Sequence, residues 1–306
     1  MALLAAPLNT QILKALESGP LPLRSLRQAI GSPPQSTMRL YTRSLDELGV
    51  IERRSRREFP TSVDYAITRS GRGLLGVAGF FETWLAQAPD KPIELGTIAA
   101  RNTIKSLSEG WSTTIIRALA GRAYSLTELD RLIPRVSYPS LERRLAALRI
   151  VGLVEGHRVD GGTTPHSATD WLRRAVAPAV AAIAWEQRFL PQSSQSVGRL
   201  DVEAAFLLAI PLTRLPKDVS GRCRLAVEVQ RAATPDFAGV VVRVEEGKVV
   251  SCLPNLKGEV EGWASGSPRA WLNRLMGSPS QELDLGGEIA LADAIVEALR
   301  RTPSKP

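Results

Sequence analysis

Apolar positions in the first ninety residues recur at helical spacing and then switch to alternation. Ile12, Leu13 and Leu16 mark a first helix, and Leu23, Leu26 and Ile30 mark a short second one. Pro33-Pro34 opens a third helix, because proline is tolerated at a helix start. Met38, Thr42 and Leu45 form the inward stripe of that helix, and Gly49 ends it as a C-terminal cap. Two short strands follow, Val50–Ser55 and Val63–Thr68, joined by a polar turn. A long helix at about Gly71–Gln87 closes the run.

The same pattern returns further along. A shift of 103 residues aligns Gln11–Glu52 with Thr114–Glu155 without a gap. Leu23, Leu26 and Ile30 fall on Leu126, Leu129 and Ile133, and Gly49 falls on Gly152. A shift of 101 then matches Tyr65–Thr68 to His166–Thr169 and Trp84 to Trp185. Leu141, Leu145 and Leu148 supply the inward stripe of the second third helix, which Val136-Ser137-Tyr138-Pro139 opens. Three helices, a β-hairpin and a closing helix describe a winged helix-turn-helix, so two such units are expected. They occupy residues 1–90 and 111–190, with 91–110 connecting them.

An uncharged polar stretch, 191–198, reads as a linker. Beyond it, at 199–306, the pattern is α+β. Val202–Ile210 is an apolar, helical run, and Arg224–Val229 and Gly239–Val244 alternate as strands. Glu245-Glu-Gly-Lys248 turns the chain into Val249–Leu253, and Glu259–Ala264 continues as a strand. Ser267-Pro268 starts a helix at Arg269–Met276, and a last helix spans Ala290–Arg300. The expected fold is mainly α in the first two thirds. An α+β domain follows, with an antiparallel or mixed sheet covered by helices.

Charge sharpens the division. The net charge is +8, and the whole excess lies in the first 190 residues, because 191–306 carry 14 basic and 14 acidic side chains. A basic front half points to a polyanionic partner for that part alone. No stretch approaches the roughly 20 apolar residues of a membrane span, the closest being Ala175–Trp185. Met1–Leu8 lacks the basic start of a secretory signal, so a cytoplasmic protein without membrane contact is expected. Cys223, Cys252, His157 and His166 are too few for a disulfide framework or a four-thiolate zinc site. No catalytic constellation, metal or cofactor is expected. Gly71-Arg-Gly73-Leu-Leu-Gly76 matches a dinucleotide-binding fingerprint, but no second parallel strand follows to carry the acidic residue that the fingerprint needs. The strand-to-helix turn of the winged unit accounts for it.

These residues resemble the HxlR-type winged-helix transcriptional regulators. Trp111 followed by Thr114-Ile-Ile-Arg-Ala-Leu119, Ser125-Leu-Thr-Glu-Leu129 and Leu141-Glu-Arg-Arg-Leu145 is similar to that family's opening run. Val63-Asp-Tyr-Ala-Ile-Thr68, Ser70-Gly71 and Trp84 are similar to its post-wing signature. The resemblance covers about residues 9–190 and implies double-stranded DNA as the partner. The family is usually single-domain and dimeric, so two copies on one chain imply a monomer with an internal pseudo-dimer, or a homodimer.

With Met38, Thr42 and Leu45 facing inward, the third helix turns Gln35, Ser36, Arg39, Leu40 and Arg43 outward, toward a major groove. The wing adds Arg53, Arg54, Arg56 and Arg57, which would neutralise flanking phosphates. In the second copy Glu142 and Ala146 replace Arg39 and Arg43. Tyr138, Ser140, Arg143, Arg144 and Arg158 remain as contacts there, so the first copy is expected to dominate affinity.

The last segment is similar to the sterol carrier protein type-two-like domain, in Val240–Val249, Gly262–Gly266, Ser267-Pro-Arg-Ala-Trp271 and Gly286-Gly287. That resemblance implies a sheet covered by helices around an apolar tunnel. Phe206, Leu207, Phe237, Trp263, Trp271, Leu272, Leu275 and Met276 would line it and take a hydrophobic effector. The expected function is a transcription regulator modulated by an apolar small molecule. The alternative is a lipid-binding carrier or enzyme whose winged units serve protein contacts.

Overall fold

The computed structural model describes residues 3–56, 62–108, 112–157, 164–190, 199–229, 236–254, 258–277 and 283–302. The expected linker at 191–198 and Trp111 lie outside them. The chain divides into two compact units, Met1–Lys105 with Ala181–Ser194, and Ser106–Val180 with Gln195–Pro306.

The elements begin with α1 (Pro7–Glu17), β1 (Leu21–Pro22), α2 (Leu23–Ala29) and α3 (Gln35–Glu47). The hairpin β2 (Ile51–Arg56) and β3 (Ser62–Ile67) leads into α4 (Arg69–Leu85) and α5 (Ile98–Ser108). A second helical run follows, with α6 (Ser112–Gly121), α7 (Leu126–Leu132), α8 (Tyr138–Ile150), β4 (Val154–Gly156) and β5 (His166–Ala168). Helices α9 (Asp170–Arg174), α10 (Val176–Phe189) and α11 (Arg199–Ala209) come next. The chain ends with β6 (Gly221–Val229), β7 (Asp236–Glu245), β8 (Lys248–Leu253), β9 (Gly262–Gly266), α12 (Pro268–Leu275), β10 (Asp284–Gly287) and α13 (Ile289–Arg301).

In the first unit Ile12, Leu13 and Leu16 of α1, Leu26 of α2 and Met38 and Leu45 of α3 meet in a fully closed core. Thr42 also points inward, and its hydroxyl is satisfied by the Met38 carbonyl at 2.8 Å. Gly49, at φ +66°, lets the chain reverse after α3, with Val50 N–H donating to the Leu45 carbonyl. The sheet order is β1-β3-β2, and Leu21 stands opposite Tyr65. Thr68 ties hairpin to helix: its hydroxyl donates to the Val50 carbonyl at 2.9 Å and accepts from the Gly71 N–H, capping α4. A Cβ on Gly71 would lie 2.2 Å from the Val50 oxygen, so only glycine fits there. Gly73 packs against Trp185 and Phe189 of α10, and the Trp185 indole donates to the Ser70 carbonyl at 2.8 Å. Packing thus accounts for the first two glycines of the fingerprint.

In the second unit α6 to α9 repeat that order with the same hydrogen bonds. Val154 pairs with Ala168 as Ile51 pairs with Ile67, and Tyr124 bridges His166 as Leu21 does Tyr65. The Thr169 hydroxyl donates to the Leu153 carbonyl and caps α9 through Leu172 N–H. Gly152, at φ +76°, follows α8 as Gly49 follows α3.

The remainder of this unit is a five-stranded mixed sheet, in the order β10-β9-β6-β7-β8, with β6 and β9 parallel and the other pairs antiparallel. Glu246 and Gly247, both at positive φ, form a two-residue turn between β7 and β8. One sheet face, with Cys223, Leu225, Val240, Val242 and Ala264, is sealed from solvent. Helix α11 is apolar around most of its circumference and packs against β6, β7, α6 and α9, while α12 and α13 complete the cover. Ser267 caps α12 through Ala270 N–H, with Pro268 at its first position. The strand expected at Glu259–Ala264 is β9, which starts three residues later and ends two later. Strand β10 and helix α5 have no counterpart in the hydrophobic pattern.

Candidate nucleic-acid interface

Helix α3 presents the face that its periodicity predicts. Gln35, Ser36, Arg39, Leu40 and Arg43 are exposed, while Met38, Thr42 and Leu45 are buried behind them. Arg39 has no acidic partner among the described residues. Arg43 reaches Glu47 one turn on at 2.8 Å, in a pair exposed enough to be worth roughly 0.3–0.5 kcal/mol and readily exchanged for a phosphate. Leu40, two thirds exposed, sits between the arginines, and an apolar side chain there suits a thymine methyl group.

On the wing, Arg53 is exposed opposite Tyr65. Arg54 is exposed opposite Asp64 and pairs with Glu52 at 2.6 Å in a solvent-screened pair. Arg56 ends β2 opposite Ser62, and Arg57 lies outside the described residues.

The second helical run presents a different surface. Leu141, Leu145 and Leu148 are buried as the stripe requires. Tyr138 and Arg143 are exposed, Arg144 is half-buried, and Ser140 accepts a hydrogen bond from the Ser137 hydroxyl at 3.0 Å. Glu142 and Ala146 are exposed where α3 carries Arg39 and Arg43. Ile150 is 83% exposed, and Arg158 lies outside the described residues. At the base of this hairpin His166 is buried, with Nδ1 unpartnered. Desolvation, then the charges of Arg149 and His157, hold its pKa below the usual 6.5.

The eight residues expected to line an apolar tunnel are not gathered around one hollow. Phe206, Leu207, Trp271, Leu272 and Leu275 fill a closed core, where the Phe206 ring meets Trp271 edge-on at 4.7 Å and the Trp271 indole donates to the Ala226 carbonyl. Phe237 and Trp263 stand opposite Glu228 and Arg224, on the other sheet face, and Met276 lies exposed at the end of α12. The cause is the two-residue period of a strand, which sends neighbouring apolar residues to opposite faces. Burial raises both thiols, Cys223 and Cys252, to about 12, as befits inert packing residues. Among the described residues no cluster of His, Cys, Asp or Glu could hold a metal ion, and no helix is long and apolar enough to cross a membrane.

Residues 5–91 match the family model of the HxlR-like helix-turn-helix. That match covers the whole of α1 to α4 and implies a DNA-binding transcription regulator. No curated protein matches the chain.

Proposed function

We propose that the chain is a sequence-specific regulator of transcription that reads duplex DNA through α3 and grips it through the β2–β3 wing. The observation that carries this reading is the outward face of α3, where Arg39 and Arg43 flank Leu40 over a buried Met38-Thr42-Leu45 stripe. Arginine pairs bidentately with guanine, and Gln35 and Ser36 at the helix start reach bases or phosphates. The second run is a second, weaker winged unit, a reading supported by its equal strand register and caps. Two such units on one chain give an internal pseudo-dimer. The C-terminal domain, sterol-carrier-like in its helix-covered sheet, senses a small molecule.

The test is selection of bound duplexes from a random pool by the full chain, followed by binding to the selected site. Arg39→Ala with Arg43→Ala abolishes the preference at individual base pairs. Replacing Arg53, Arg54, Arg56 and Arg57 by Ala lowers affinity evenly across sequences and flattens the salt dependence by about 0.9 for each phosphate no longer neutralised. An enriched site bound equally well by the α3 variant refutes the reading.

A further inference from the structure

The open face of the C-terminal sheet carries a charge arrangement that the fold leaves unsatisfied. Register sets Arg222 directly opposite Arg243, and Arg224 stands two residues further along the same face. Like charges directly opposite one another destabilise an antiparallel pair. Arg243 is relieved by Glu245, and Arg224 donates to the Gly258 carbonyl at 2.8 Å. The Arg222 guanidinium has no hydrogen-bond or ion-pair partner among the described residues, and the nearby Glu261 carboxylate accepts the backbone N–H of Arg222 at 2.6 Å. Around this pair lies a depression of about 660 Å³, with Arg222, Arg243 and Ser251 on its polar side and Val241 and Leu253 on its apolar side. Leu253 is 44% exposed there, an apolar side chain left in water.

We propose that this depression binds a small amphipathic monoanion, its carboxylate between Arg222 and Arg243 and its apolar body along Val241 and Leu253. A guanidinium takes a carboxylate through two parallel N–H···O bonds, and one negative charge removes the opposition of the two arginines. Glu245 and Glu261, which line the same depression, repel a second negative charge, which selects a carboxylate over a phosphate dianion. The volume suits a molecule of drug size. This deepens the effector part of the proposed function and gives it a place. Its regulatory meaning rests on that reading, whereas the binding itself does not.

Calorimetric titration of the full chain with 4-phenylbutyrate, 4-phenylbutan-1-ol and inorganic phosphate tests it. Saturable binding of phenylbutyrate is expected, at least tenfold tighter than the alcohol, with no saturation by phosphate. Arg222→Gln, with unchanged circular dichroism, weakens phenylbutyrate at least tenfold, and Leu253→Ser weakens acid and alcohol alike. The proposal is overturned by equal affinity for acid and alcohol, by indifference to Arg222→Gln, or by no saturable binding of phenylbutyrate. Duplex binding is measured on the same samples. Its failure beside saturable phenylbutyrate binding sinks the regulator reading and upholds the site.

Discussion

Lys14 and Arg117 hold the same place in the two helical runs, 103 residues apart, and each reaches a carboxylate on the helix that packs against its own. In the first run that helix is α4, and Lys14 meets Glu82 at 2.5 Å in an exposed pair. In the second it is α11, from beyond the hairpin's own closing segment, and Arg117 meets Glu203 at 2.6 Å with the carboxylate 4% exposed. Arg173 of α9 fastens the same junction by donating to the carbonyls of Ala120 and Leu207, both at 3.1 Å. One pattern of helices and hairpin is therefore closed in two ways. The first run is closed by its own α4, against which the end of α10 also packs, and the second is closed by α11. The residue that divides them is Pro178, which stands where α4 has Val77. Proline cannot donate to the carbonyl four residues back and its ring crowds it, and α9 ends at that residue, Arg174.

The largest effect should come from moving that proline. Val77→Pro puts the break inside α4, whose buried Leu74, Ala78, Phe81 and Trp84 need an unbroken helix. It should cost about 3 kcal/mol or more in urea unfolding. Pro178→Ala should leave stability within about 1 kcal/mol, because α11 already fills the place of a closing helix. Equal effects at the two positions would erase the contrast.

Next in size is the ion pair. Glu203→Ala leaves the half-buried Arg117 without its partner and should destabilise by about 3 kcal/mol. Glu82→Ala removes a solvent-screened pair and should change stability by less than about 1 kcal/mol. Replacing Arg117 by Met and Glu203 by Leu together should recover most of the loss, since matched apolar residues often serve as well as a buried pair. If Glu203→Ala is as mild as Glu82→Ala, α11 does not close the second run.

How much of this could be read from the chain depends on the range of the forces. The stripes Met38-Thr42-Leu45 and Leu141-Leu145-Leu148, the caps at Gly49 and Gly152 and the Glu245–Lys248 turn are local, and hydrophobic period and glycine placement locate them. The outward face of α3 follows from its stripe, so the exposure of Gln35, Ser36, Arg39 and Arg43 was legible as well. Helix α11 was legible as an apolar run, but its position beside α6 was not, because an all-apolar helix carries no sign of what covers it. The tunnel residues failed for a related reason. Phe237 and Trp263 are large and apolar in sequence, and only the pairing with Glu228 and Arg224 shows that they face away from the Phe206–Trp271 core. Arg222 and Arg243 are unremarkable until register sets them opposite one another.

If the proposed function holds, α3 and α8 should also separate in DNA binding. Each of Arg39→Ala and Arg43→Ala should weaken the selected duplex by about tenfold, as expected for removing one bidentate base pairing. Arg143→Ala on α8, beside Glu142 and Ala146, should weaken it by about threefold or less and equally for all sequences, as a phosphate contact does. Glu142→Arg with Ala146→Arg, which rebuilds the α3 pattern on α8, should raise affinity. No gain from that pair would show that α8 does not reach the duplex.

The finest distinction lies at the base of the hairpins, where Tyr65 in the first run and His166 in the second occupy equal positions and both are buried. Tyrosine stays neutral across the physiological range, whereas histidine titrates within it. Desolvation leads in holding the His166 pKa below 6.5 in the folded chain, with Arg149 and His157 adding to it. The unfolded chain therefore takes up this proton first as pH falls. Stability from this residue is complete above pH 6.5, declines as the pH drops below that value, and is fully lost once the folded pKa is passed. Urea midpoints between pH 8 and pH 5 should accordingly fall more steeply for the native chain than for His166→Tyr, which installs the first run's residue. The reciprocal Tyr65→His should add a decline of the same sign, and parallel curves for all three chains would mean that His166 takes its proton folded as readily as unfolded.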